Sequence, residues 1–157
     1  MIALLITAAF CGSLREAVAQ AQLPVAPFAE WKRDRQEATP PLELYKSART
    51  LPPFLSCRVA QAPDLSALEC ELPFDDAGPA AAQLRELSAE AAKCLGEGWE
   101  EKHPPLEAKY GLLGVTSWNR RAVEVMLYAQ APGKLHMGFP LELVQKGAVL
   151  VLTITVE

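Results

Sequence analysis

The segment from Ser56 to Leu72 constrains the fold of this chain more than any other. Ser56 to Gln61 and Ser66 to Leu72 read as strands around Ala62-Pro63-Asp64-Leu65. That tetrapeptide suits a type I turn, because Pro63 occupies the second position, where its restricted φ is already the one required. Pairing Ala62 with Leu65 then dictates every other partner: Val59 falls opposite Leu68 and Cys57 opposite Cys70. These four residues share one face. Arg58, Glu69 and Glu71 share the other, the alternation expected of a half-buried antiparallel pair.

Asp75-Asp76-Ala77-Gly78-Pro79 follows as a helix start, and the spacing predicts a helix over Pro79 to Leu95, a stretch with no internal glycine or proline. Leu84, Leu87, Ala91, Cys94 and Leu95 form its apolar stripe, Arg85, Glu86, Glu90 and Lys93 face outward, and Gly96 terminates it. A polar, proline-containing connection spans Glu100 to Pro105. Beyond it the chain is strand-like: Ala122 to Gln130 alternates, with Tyr110 to Trp118 as its partner around Asn119-Arg120. Leu141 to Gln145 and Ala148 to Val156 flank Lys146-Gly147 as a hairpin. The order is strand, strand, helix, then up to four strands. It predicts an α+β fold, an antiparallel or mixed sheet with one main amphipathic helix packed on one face.

The amino-terminal third reads differently. An apolar run from Ile2 to Phe10 precedes the small-residue stretch Ala17-Val18-Ala19-Gln20-Ala21, whose overlapping A-x-A patterns place cleavage before Gln20 or Gln22. Residues 1–21 are therefore expected to be a secretory signal peptide. The run is about nine residues, well short of the roughly 20 that span a bilayer, so no stable membrane anchor is expected. Residues 22–54 are rich in proline, with two short helices over Phe28 to Glu37 and Pro41 to Arg49. Residues 55–157 form the α+β domain, and truncation before Pro53 is expected to leave it folded.

Secretion makes the cysteines structural. After removal of a leader that contains Cys11, three disulfide candidates remain, Cys57, Cys70 and Cys94. A bridge from the helix to a strand closes the longer loop, which favours Cys70–Cys94 over Cys57–Cys94 and Cys57–Cys70. No cofactor is implied, and no residue is assigned a catalytic, cofactor-binding or metal-binding role. Glu97, Glu100, Glu101, His103 and Glu107 lack the spacing of a cation motif, and no P-loop, dinucleotide or Gly-x-Ser-x-Gly fingerprint occurs. A catalytic thiol at Cys94 would depend on His103 or His136, neither placed by a motif. Trp99 and Trp118 are expected to pack in the core. With a formal net charge of −4, nucleic acid is not an expected partner. The functional expectation is a small secreted or periplasmic non-enzymatic module acting through a protein partner. The alternative is a small-molecule or lipid binder with a pocket between helix and sheet, and a less favoured one is an enzyme.

Overall fold

The structure, a computed structural model, describes residues 2–135, 137 and 146–157. Helix α1 (Ile2–Ala21) leads into strands β1 (Lys32–Gln36), β2 (Glu43–Ser47), β3 (Ser56–Ala62) and β4 (Leu65–Phe74). Helix α2 (Ala77–Leu95) follows, then β5 (Glu100–Lys102), β6 (Leu112–Arg120), β7 (Val123–Gln130) and β8 (Ala148–Val156). The strands form one eight-stranded sheet in the order β1-β2-β3-β4-β8-β7-β6-β5, antiparallel throughout. The fold is α+β, with a larger sheet than expected and two helices instead of one.

The β3–β4 hairpin has the expected register, from Ala62 opposite Leu65 to Cys57 opposite Cys70. Helix α2 buries Leu84, Leu87, Ala91 and Cys94 along one stripe and ends at Gly96, whose φ of 75° is one that a side chain disfavours. The β6–β7 hairpin turns one residue pair later than expected. Arg120 pairs with Val123, so Arg121 and Ala122 make the turn, and Arg121 adopts the left-handed φ of 55°. Glu100 to Lys102, expected as a connection, forms an edge strand against β6. The expected strand over Leu141 to Gln145 lies outside the described residues.

Two observations concern the first 54 residues, the first of them a correction. No helix forms over Phe28 to Glu37 or Pro41 to Arg49 beyond a 3-10 turn at Ala29–Trp31; β1 and β2 occupy these stretches. Helices this short do not sustain themselves in water, whereas the open edge of β3 offers unpaired N–H and C=O groups. Satisfying that edge places Leu44 opposite Ala60, and both are buried. Residues 32–36 and 43–47 thus extend the sheet beyond β3.

The second observation is α1. The region expected to be a leader is a helix that buries Phe10, Leu14, Ala17, Val18 and Ala21, a stripe at helical spacing within the main core. It packs beside α2 on the face formed by Val59, Leu68, Val125, Leu127, Leu152 and Ile154. Arg15 of α1 donates from Nε to the Cys94 carbonyl (3.2 Å), placing a cation at the carbonyl end of α2. Cleavage before Gln20 or Gln22 would remove most of that stripe.

Two interior contacts lead to predictions. β6 passes so close beneath α2 that a Cβ on Gly114 would lie 2.8 Å from Leu84 Cδ2. Gly114→Val is therefore expected to destabilise by about 1–3 kcal/mol through overpacking, read as a lower urea midpoint at unchanged slope. Gln130 is fully buried; its Nε2 donates to the carbonyls of Tyr110 (2.9 Å) and Leu135 (2.8 Å), and its Oε1 accepts from Met137 N–H (3.0 Å). Gln130→Leu leaves those three backbone groups unmatched. It is expected to cost about 1–3 kcal/mol, with faster amide exchange at Met137.

Candidate functional site

Strand pairing places charged residues of the sheet face opposite α1 and α2 in a row. Lys46 pairs with Arg58, and Arg58 with Glu69. The Arg58 guanidinium donates from Nε (3.0 Å) and Nη2 (2.5 Å) to Glu69 Oε1, and its Nη2 lies 3.7 Å from Glu71 Oε1. The Glu69 side chain is 0% exposed and that of Arg58 21%, so the anion lies on the floor and the cation reaches the opening. Above them is a cavity of about 410 Å³, with Lys46, Thr50, Leu55 and Ser56 around its walls. Leu55 is 70% exposed, a large apolar side chain standing in water at this rim.

Tyr128 lies on the same face. Glu71 pairs with Val151 and Val151 with Tyr128, so the phenol is in the Glu71 row, two strands away. It is buried with Val115, Val149 and Val151, and among the described residues its hydroxyl has no hydrogen-bond partner. Burial holds its pKa well above the ordinary phenol range, and the negative charge of Glu69 and then Glu71 raises it further, against a smaller lowering by Arg58. It remains a neutral phenol at physiological pH.

The three disulfide candidates are all bonded, with a different pairing from the one favoured by the sequence. Cys57 bonds to Cys70 across the hairpin, with Cα atoms 4.0 Å apart, and Cys94 bonds to Cys11 of α1 at 5.3 Å. Cys70–Cys94 does not form, because α2 presents Cys94 to the neighbouring helix. The partner of Cys94, Cys11, lies within the stretch expected to be a leader and so was not among the three candidates. Bonded in this way, Cys94 offers no thiolate.

The remaining residues are not brought together. The His103 imidazole is 3.3 Å from Glu101 on an exposed edge, and among the described residues no three metal-binding side chains converge. His136 lies outside the described residues. Trp118 is buried and donates from Nε1 to Glu101 Oε1 (3.0 Å), while Trp99 is partly buried against the core. The Arg58–Glu69 pair was legible as a cross-strand pair of opposite charge, yet its face reads as the solvent side of a two-stranded hairpin. No family model, curated protein or solved structure matches the chain.

Proposed function

We propose that this protein is a non-enzymatic binding module that engages a partner protein through the groove above Arg58, Glu69 and Glu71. The carrying observation is the composition of that groove: a buried carboxylate and its guanidinium at the floor, and an exposed Leu55 at the rim. Protein interfaces combine an apolar anchor with directional charged groups in this way, and a solvent-exposed leucine beside a desolvated ion pair suits such an anchor. A secreted or periplasmic setting accords with two disulfides and with the absence, among the described residues, of a helix long and apolar enough to cross a membrane.

A photo-crosslinking residue at position 55, compared with one at Leu106, an exposed leucine elsewhere (57%), tests the proposal in the native host. A discrete protein adduct formed from position 55 and absent from 106 is expected. Equal labelling from both sites would refute the groove as an interface. The cavity also falls within the roughly 300–1,000 Å³ range of small-molecule sites, which favours a polar ligand there as the second reading. Native mass spectrometry of protein from its own source separates the two, since a bound small molecule adds a defined mass.

A further inference from the structure

Away from that groove, the tip of the β6–β7 hairpin forms a second concavity with the chain that leaves α1. It measures about 400 Å³, with Leu23, Val123 and Val156 supplying apolar surface and Arg120 and Arg121 supplying charge. Both arginines are exposed, and neither forms an ion pair among the described residues. Leu23 is 41% exposed, and the neighbouring Val25 79%. In a chain of formal net charge −4, two exposed arginines with no ion pair among the described residues beside an apolar hollow form a local exception.

The surroundings give this site a direction. Arg121, Ala122 and Val123 also border a smaller hollow of about 190 Å³ whose far wall carries Glu124 and Glu157. The carboxylates of Glu124 and Glu157 make that side the less favourable approach for an anion. The favourable approach is from the α1 side, over Gln22 and Leu23. Arg121 sits at the turn in a left-handed backbone conformation that a non-glycine residue adopts at a cost.

We propose that this groove binds an acidic segment of a partner protein, with carboxylates on Arg120 and Arg121 and an adjacent leucine-like side chain on Leu23, Val123 and Val156. Charge complementarity selects the occupant. The guanidinium fork matches a carboxylate in two parallel hydrogen bonds, and the apolar floor rewards a side chain that a free anion lacks. The site lies apart from the Arg58 groove and stands or falls separately from it.

The probe is a capped octapeptide of alternating glutamate and leucine, titrated into the isotopically labelled full chain and followed by amide NMR shifts and calorimetry. Shifts are expected at residues 21–23, 119–123 and 156. Affinity should fall at least tenfold in the Arg120→Gln/Arg121→Gln protein and for a peptide with glutamine in place of glutamate, and should also fall as salt rises. Thermal unfolding verifies the variant's fold, and the glutamine peptide tests the charge requirement with the unaltered protein. No binding, shifts elsewhere, or equal affinity for the glutamine peptide would overturn the proposal. So would tighter binding of dodecanoate at the same residues, which would assign the groove to an amphiphile.

Discussion

A chain lacking residues 2–21 is expected to lose its cooperative unfolding transition. Helix α1 contributes Phe10 and Leu14, both fully buried, together with Ala17, Val18 and Ala21. Burial of each large side chain is worth about 1.5–3 kcal/mol. The Cys11–Cys94 bond spans 83 residues, for which chain-entropy arguments give about 4–5 kcal/mol. Together these approach the roughly 5–15 kcal/mol that holds a domain of this size together. The Cys11→Ser/Cys94→Ser protein, which keeps the stripe and loses only the staple, is expected to fold with a loss of no more than that staple's contribution. Differential scanning calorimetry distinguishes the three chains, and a sharp transition in the truncated one would show that α1 is dispensable to the core. Truncation before Pro53 is expected to be still more damaging, because it also removes Phe28, Trp31, Leu44 and Leu51 from the interior.

Arg58→Ala is expected to produce the largest loss of any single surface-facing substitution. It strips two charge-assisted donors from a carboxylate that has no solvent exposure, and breaking a buried pair on one side costs about 3–5 kcal/mol, here reduced to about 2–4 because the guanidinium is partly in water. Arg58→Met combined with Glu69→Leu should recover most of the stability, because two apolar groups leave no buried charge unmatched. Recovery by the double substitution with loss of the position-55 crosslink would separate the pair's part in folding from its part in binding. A near-neutral Arg58→Ala would show that other groups satisfy Glu69.

The elements legible in the sequence were those whose information is local. The β3–β4 register followed from Pro63 and the pairing of Ala62 with Leu65, because a short turn links partners only a few residues apart. The α2 stripe of Leu84, Leu87, Ala91 and Cys94 followed from helical spacing between a start signal and Gly96. The candidate site was half legible: Arg58, Glu69 and Glu71 were correctly grouped on one face, yet burial of Glu69 depends on β8 at its other side. The α1 stripe was readable too, since Phe10, Leu14, Val18 and Ala21 recur at helical spacing, but the overlapping A-x-A patterns occupy the same residues and favour the opposite reading.

The amino-acid sequence by itself determined the β3–β4 hairpin, helix α2 and the alternation of β7, because turns, caps and periodicity act between neighbours along the chain. Tertiary structure alone decided that β8 inserts between β4 and β7, that residues 32–47 become edge strands, and that Cys94 meets Cys11. Those outcomes depend on which backbone edges and apolar faces are left uncovered once the local pieces exist. β8 has both faces largely buried and fits only at the centre of a sheet, and the residual face over Leu68, Leu127 and Leu152 is wide enough to require a second helix beside α2.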